Sequence, residues 1–249
     1  MAEHTRTLLL ANFEAVRCMQ QGNYFKAGQL LQGGIQFIDD LTNHYSAKQQ
    51  DEDGDSDLPC LGFAIDAIDL PLSPISDSQT KSNPYSLYSK AFAIVPPSPS
   101  PLTQKLDELL FSEETRSLPL LCVFWYNLAL CCHLQSLSKP PSCQQGDPLL
   151  REALNKYHMA QGFVFEQFSD ISPTFLDSSN TLLELAAVNN CCCIHFHFVD
   201  CHNMERCLDR MDTLLCDASH GGEIRIAPGL FCFQINASLL QAARIAPVA

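Results

Sequence analysis

Apolar side chains recur every three or four residues through the start of the chain, on both sides of a glycine–asparagine pair. The first such face, before Gly22-Asn23, is marked by Leu8, Phe13, Val16 and Met19, and a second face runs from Tyr24 to Ile38. Because an α-helix completes a turn every 3.6 residues, this spacing predicts two amphipathic helices joined by a tight turn. Two helices joined by so short a turn pack antiparallel. The sequence therefore predicts a helical hairpin over residues 7–46.

The same helical spacing resumes after residue 117. We expect helical repeats over residues 118–217, followed by an apolar C-terminal segment over 218–249. With 46% apolar and 17% charged residues among 249, the chain can bury a sizeable core. These patterns predict an all-α fold forming a single helical domain over residues 1–249. The individual helices are predicted at Leu121–Leu137, Leu149–Phe168, Thr181–Val199 and Met204–Cys216.

Residues 47–117 differ in character and are expected to be an insertion between the helices. Five of the seven residues from Asp51 to Asp57 are acidic, which predicts a solvated loop. Two short apolar stretches, Phe63–Leu72 and Tyr85–Val95, predict the strands of a β-hairpin. The segment Pro96–Pro101 favours an extended polyproline conformation. The sequence leaves open whether Ser73, Ser98 and Ser100, each of which precedes a proline, are phosphorylated.

The formal charge of −13 comes from 28 acidic and 15 basic side chains. Nucleic acids and anionic membranes both require a basic surface, so the composition argues against either as the main partner. We find no stretch that approaches the roughly 20 apolar residues needed to span a membrane, and no signal peptide. The 13 cysteines lie mostly in apolar runs and not at disulfide spacings. We therefore expect an intracellular protein, cytoplasmic or nuclear, whose cysteines are small buried side chains.

A pair of the predicted helices resembles the tetratricopeptide repeat (TPR), a unit of two helices called A and B. Trp125-Tyr126-Asn127-Leu128-Ala129 is similar to the start of helix A, with its large aromatic residue and its leucine followed by a small residue. The helix-B alternation of small and large residues is matched by Leu150, Ala153, Tyr157 and Ala160.

Two further units resemble this repeat. Ala15 in the first hairpin and Cys192 in the last occupy the place of Ala129, at separations of 114 and 63 residues instead of the family's 34. The motifs, together with Leu87–Ala91 and an Ala246-Pro247 ending, also resemble a group of uncharacterised algal proteins with divergent TPR-like domains. The resemblance implies antiparallel helical hairpins of the alpha-alpha superhelix type, carrying an inserted β-hairpin with acidic and proline-rich loops.

TPR proteins commonly bind an extended peptide along the surface formed by their A helices. The resemblance therefore implies a non-enzymatic scaffold or adaptor whose partner is another protein or peptide. In the first hairpin, the positions that correspond to exposed A-helix residues of TPR proteins include Asn12 and Val16. The alternative is that these side chains pack beneath the inserted hairpin, and the oligomeric state stays open. The expected partner-binding residues are Tyr126, Asn127, Leu130, His133, Phe196 and His197.

A zinc site is a second interpretation, because Cys193, His197 and Cys201 are four residues apart and would form a stripe on one helix. Thiolate and imidazole are ligands that zinc prefers. Three collinear ligands, however, span about 12 Å at 1.5 Å per residue, too far for one ion. Only two could share an ion, and we favour small-residue packing instead. The further candidate ligands are His195, His202 and Cys207, with Cys131, Cys132 or His133 across a helix interface.

An enzyme that depends on cysteine or histidine is the remaining alternative. The sequence contains no Gly-x-Ser-x-Gly, no glycine-rich phosphate loop after a strand and no His-Glu-x-x-His. We therefore assign no catalytic residue, no metal ligand and no cofactor.

Overall fold

The structure is a computed structural model that describes residues 3–49, 64–70, 87–95, 118–140, 147–168, 178–220 and 231–245. The predictions for Asp51–Asp57, for Pro96–Pro101 and for the three proline-directed serines lie outside these residues.

Helices dominate the described residues, and a two-stranded antiparallel sheet accompanies them. The prediction of a helical protein with a small β-hairpin is confirmed. One helix, α7, is additional to those predicted from the apolar spacing. The helices are α1 (Glu3–Gln20), α2 (Tyr24–Gln49), α3 (Leu118–Leu137), α4 (Pro148–Phe168), α5 (Ser178–His197), α6 (Cys201–His220) and α7 (Phe231–Ile245), and the strands are β1 (Ala64–Asp69) and β2 (Lys90–Val95).

Each helix packs against the next one in the chain, from α1 to α7. The α2–α3 contact is unusually close at Gly34, where an added Cβ would overlap the ring of Phe124. Gly34 is therefore required by packing, because only a hydrogen atom fits between the helix backbone and the aromatic ring.

The turns α1–α2 and α5–α6 have the same backbone conformation. Gly22 and Val199 each adopt a positive φ, of 73° and 58°. In both turns the amide of the next residue, Asn23 or Asp200, donates to the carbonyl five residues earlier at 2.9 Å. The side-chain oxygens of Asn23 and Asp200 then accept the backbone N–H three residues later, at 3.2 Å. Each turn thus combines a Schellman C-cap with the N-cap of the following helix.

Helix α3 is the central helix of the core, since it packs against α1, α2, α4, α5 and β2. Its segment Leu120–Leu137 is long and apolar enough to cross a membrane by length and composition alone. The expectation that no stretch approaches this length is therefore wrong. Within the structure 83% of that segment is buried, as in the core helix of a globular domain.

The cysteines contribute mainly to packing. Eleven lie in the described residues, where all are free thiols and six are buried. Burial raises the pKa of Cys122 to about 12 and that of Cys132 to about 11. These side chains thus stay protonated at neutral pH and behave as small apolar groups.

The sheet lies against the first helix of two helical pairs. Strand β2 packs on α1 and α3, and β1 pairs with it in a register from Ala64 opposite Val95 to Asp69 opposite Lys90. All side chains from Ala91 to Ile94 are buried, whereas Asp66 and Asp69 of β1 are exposed. The strand β2 is therefore enclosed between β1 and the helices.

Candidate functional site

Strand β2 uses both of its edges. Alternate residues of a strand direct their N–H and C=O groups to opposite edges, and β1 occupies one edge. The other edge faces the helices, where it meets a row of buried asparagines instead of a third strand. The row is Asn12 on α1, Asn127 on α3 and Asn190 on α5, each at most 1% exposed. We call this row, with the helix faces around it, the asparagine groove.

Asn127 pairs with both backbone groups of one residue. The Phe92 N–H donates to Asn127 Oδ1 at 2.9 Å, and Asn127 Nδ2 donates to the Phe92 carbonyl at 2.8 Å. A primary amide presents a donor and an acceptor side by side, so it imitates the peptide group of a neighbouring strand. Both bonds are buried, where an unsatisfied backbone group is costly.

Asn12 and Asn190 hold the strand on either side of Asn127. Asn190 accepts the Tyr88 N–H at 2.9 Å and donates to the Tyr88 carbonyl at 3.1 Å. Asn12 accepts the Ile94 N–H at 3.0 Å and donates to the Phe92 carbonyl at 3.3 Å. The strand thus runs from α5 past α3 to α1.

Two tyrosines position these groups. The Tyr126 hydroxyl lies 3.2 Å from the Tyr88 carbonyl and donates to it, and Asn190 Nδ2 donates to the Tyr157 hydroxyl at 3.0 Å. Burial holds the pKa of both phenols well above the ordinary value, so both hydroxyls remain protonated and neutral. The α4 helix therefore supports the groove from behind through Tyr157.

A second row of amides links the groove to α7. Asn189 Nδ2 donates to Asn190 Oδ1 at 3.2 Å, and Asn236 Nδ2 donates to Asn189 Oδ1 at 2.8 Å. All three side chains are buried. This network fixes the orientation of the Asn190 amide, so that its donor and acceptor match those of the strand.

Aromatic side chains fill the space beside the asparagines. The Phe92 ring meets Tyr126 edge-on with centroids 4.9 Å apart, and the Tyr88 ring lies 4.9 Å from that of Phe233 on α7. Phe92 and Ala91 are fully buried. The groove therefore bonds to the backbone of the bound segment through amides and contacts its side chains through apolar groups.

The six residues predicted to bind a partner do not share one environment. Tyr126 and Asn127 bond to the strand, as in the alternative that places them beneath the hairpin. Leu130 is completely buried, and the His133 ring packs edge-on to Tyr157 with centroids 6.1 Å apart. The expectation of exposure is therefore wrong for Tyr126, Leu130 and His133, and also for Asn12 and Val16. Asn127, expected to contact a partner, is buried as well. Phe196 and His197 are exposed at the end of α5.

Asn190 was not among the residues predicted to bind a partner. The alignment of Cys192 with Ala129 gives Asn190 the repeat position of Asn127, but that equivalence supported only the repeat. A signal was present, because asparagine in a helix of otherwise apolar residues is rarely buried without a fixed hydrogen-bond partner. What the sequence could not supply was the identity of that partner.

The proposed zinc stripe is not formed by one helix. Helix α5 ends at His197, and Val199 turns the chain before Cys201 begins α6. Cys193 and Cys201 therefore lie on different helices. No group of three histidine, cysteine or acidic side chains suited to a metal ion occurs in the part of the chain that the structure describes.

His195 has a local partner in place of a metal. Its Nδ1 lies 3.2 Å from Asp200 Oδ2, and its ring stacks near that of His158 at a centroid distance of 6.4 Å. Burial lowers the pKa of His195, and the Asp200 carboxylate opposes that shift. This pair joins the end of α5 to the start of α6.

Comparisons of the chain with models of protein families, with curated proteins and with solved structures gave no match.

Proposed function

We propose that the chain is a non-enzymatic protein-interaction scaffold that binds an extended partner segment along α1, α3 and α5. The observation that carries this proposal is the asparagine groove, in which three amides hold the backbone of an extended strand. Recognition through the backbone requires only that the bound segment be extended. A surface built this way suits a protein or peptide partner.

We further propose that the helices form TPR-like hairpins, with α1, α3 and α5 as the A helices. Two features support this assignment. The turns at Gly22 and Val199 share one backbone conformation, and these residues are separated by the same 177 positions as Ala15 and Cys192. In addition, Asn127 and Asn190, which occupy equivalent repeat positions, both pair with the strand.

The predicted site residues take different roles under this proposal. Tyr126 and Asn127 contact the bound backbone, whereas Leu130 and His133 support the groove from within the core. Phe196 and His197 are exposed at the end of α5, and under this proposal they would contact a partner that extends beyond the groove. The neutral groove and the charge of −13 favour a peptide over a nucleic acid as the ligand.

Affinity capture with paired variants tests the proposal. Full-length wild type, Asn127→Phe and Asn155→Phe are used as bait in extracts of the source cell, and bound proteins are quantified by mass spectrometry. A ring at position 127 would fill the groove and exclude any occupant, whereas Asn155 is an exposed asparagine on α4 and provides the matched control. We expect specific partners that Asn155→Phe retains and Asn127→Phe recovers at less than a tenth of the wild-type amount. Equal recovery by an Asn127→Phe chain with native helicity would refute binding in the groove.

A further inference from the structure

The asparagine groove contains a ligand already, and that ligand is part of the same chain. Strand β2 presents its backbone to Asn12 and Asn127, and Tyr88 just before it presents its backbone to Asn190, in the way proposed for a partner. A two-stranded hairpin is only marginally stable by itself in water. The hairpin is therefore held in place mainly by contacts with the helices, and a segment that makes the same contacts can compete for them.

The groove also restricts the side chains of its occupant. Tyr88 and Phe92, four residues apart, lie in aromatic surroundings with 7% and 0% of their surfaces exposed. Ala91 is fully buried, so a larger side chain at this position would have to displace its neighbours. Ile94 is 7% exposed, which favours an aliphatic residue two positions after Phe92.

Departure of the hairpin does not require the helices to separate. The strands are joined to α2 through residues 50–63 and to α3 through residues 96–117, while α2 and α3 pack directly against each other. A displaced hairpin would remain attached at both ends. It would return readily, because a tethered ligand has a high effective concentration.

We infer that β2 is an intramolecular competitor, and that the partner of this groove is an extended segment with the pattern aromatic-x-x-small-aromatic-x-aliphatic. The inference rests on the proposed function and adds to it the partner's chemistry and the form of regulation. Partner binding and hairpin release become one exchange, in which the backbone bonds to Asn12, Asn127 and Asn190 pass from one segment to the other.

A fluorescent peptide of residues 87–95, blocked at both ends, provides the test. Its dissociation constant is measured by anisotropy against the full-length wild-type chain and against full-length Phe92→Ala, which weakens the internal strand and leaves the groove residues unchanged. We expect the peptide to bind Phe92→Ala at least about tenfold more tightly than wild type. Ala93→Pro is a second variant. The Phe92 and Ile94 amides bond to the groove, so the Ala93 amide between them is directed to β1. Proline at this position should therefore weaken the pairing of β2 with β1 and leave the groove residues unchanged.

Two altered peptides report on the groove itself. Methylation of the Phe92 amide nitrogen removes the donor to Asn127, and Ala91→Leu enlarges the enclosed side chain. Each is expected to weaken binding at least about tenfold relative to the parent peptide. Unchanged affinity for both altered peptides would overturn the proposal that the groove recognises the backbone and the side chains of its occupant.

The outcomes separate this inference from the proposed function. Equal affinity of the peptide for wild type and for both natively helical variants would overturn the competitor role of β2. Failure of the peptide to bind any of these chains would overturn the inference as a whole. If capture of cellular partners still depends on Asn127 in that case, the proposed function survives. If capture is independent of Asn127, the proposed function fails as well.

Discussion

Replacing Asn127 by alanine should destabilise the protein by a measurable and local mechanism. The substitution leaves the buried Phe92 N–H without an acceptor and its carbonyl with only the 3.3 Å bond from Asn12. An unsatisfied buried donor costs about 1–3 kcal/mol, and the lost bond to the carbonyl adds about 1 kcal/mol. We therefore expect the free energy of unfolding to fall by about 2–4 kcal/mol.

Urea unfolding followed by circular dichroism gives this difference, and hydrogen exchange measured by NMR gives its location. The Phe92 amide should exchange much faster in Asn127→Ala, while the Ala93 amide, which faces β1, should keep more of its protection. Asn127→Leu preserves the side-chain volume without the amide, so a similar loss for both variants would assign the effect to hydrogen bonding and not to a cavity.

The exposed Asn155 provides the control, since Asn155→Ala should change the free energy of unfolding by less than about 0.5 kcal/mol. The reasoning would be refuted by a loss below about 0.5 kcal/mol for Asn127→Ala. It would also be refuted by unchanged protection of the Phe92 amide.

Three further predictions address the helical framework. Gly34→Ala should destabilise the protein by about 1–3 kcal/mol in chemical unfolding, because the new Cβ overlaps Phe124. Gly33→Ala, whose Cβ would lie in open space, should instead stabilise the protein by up to about 1 kcal/mol. Equal effects of the two substitutions would contradict this packing. Val199→Gly should stabilise the protein by about 1 kcal/mol in the same assay, since a β-branched residue is strained at a φ of 58°, and a loss of stability would be inconsistent with that strain. Burial lowers the pKa of His133 from 6.5 to about 3, so the stability due to its neutral form is complete above pH 6.5 and is lost as the pH falls towards 3. Wild type should therefore lose up to about 1.4 kcal/mol per pH unit in this range relative to His133→Leu, as measured by unfolding at several pH values, and parallel curves would refute the assignment.

The helices could be predicted because their cause is local. The repeat of apolar residues at three and four positions identifies a buried face wherever the helix later packs. The ends of the helices were harder to predict from the sequence where tertiary contacts or unusual turns determine them. The predicted helix Thr181–Val199 ends at His197, because Val199 takes a conformation usually supplied by glycine. A β-branched valine does not by itself predict such a turn.

The site could be predicted only in part, because a helical pattern identifies a face and not what covers it. The resemblance to a TPR helix A singled out Tyr126 and Asn127, which are buried and bond to the backbone of residues 88–92. Their bonding partner, however, lies 35 residues earlier in an inserted hairpin. The contact between Asn12 and Phe92 spans 80 residues. Such pairings depend on how the insertion folds back, which short-range periodicity does not encode.

The strand and the asparagine groove stabilise each other, which has a consequence for any partner. Without an occupant, the three amides and the aromatic wall near Tyr126 would be exposed to water, and β2 would lose the bonds along its second edge. Under the proposed exchange, a partner must replace the contacts that β2 makes with the groove. Its affinity is therefore set by how much stronger its own contacts with the groove are than those of β2. A substitution that weakens β2 should increase partner affinity as effectively as a substitution that improves the partner. Under the same proposal, the sequence of the inserted strand, such as the residue at Phe92, would control how readily the groove becomes free for a partner.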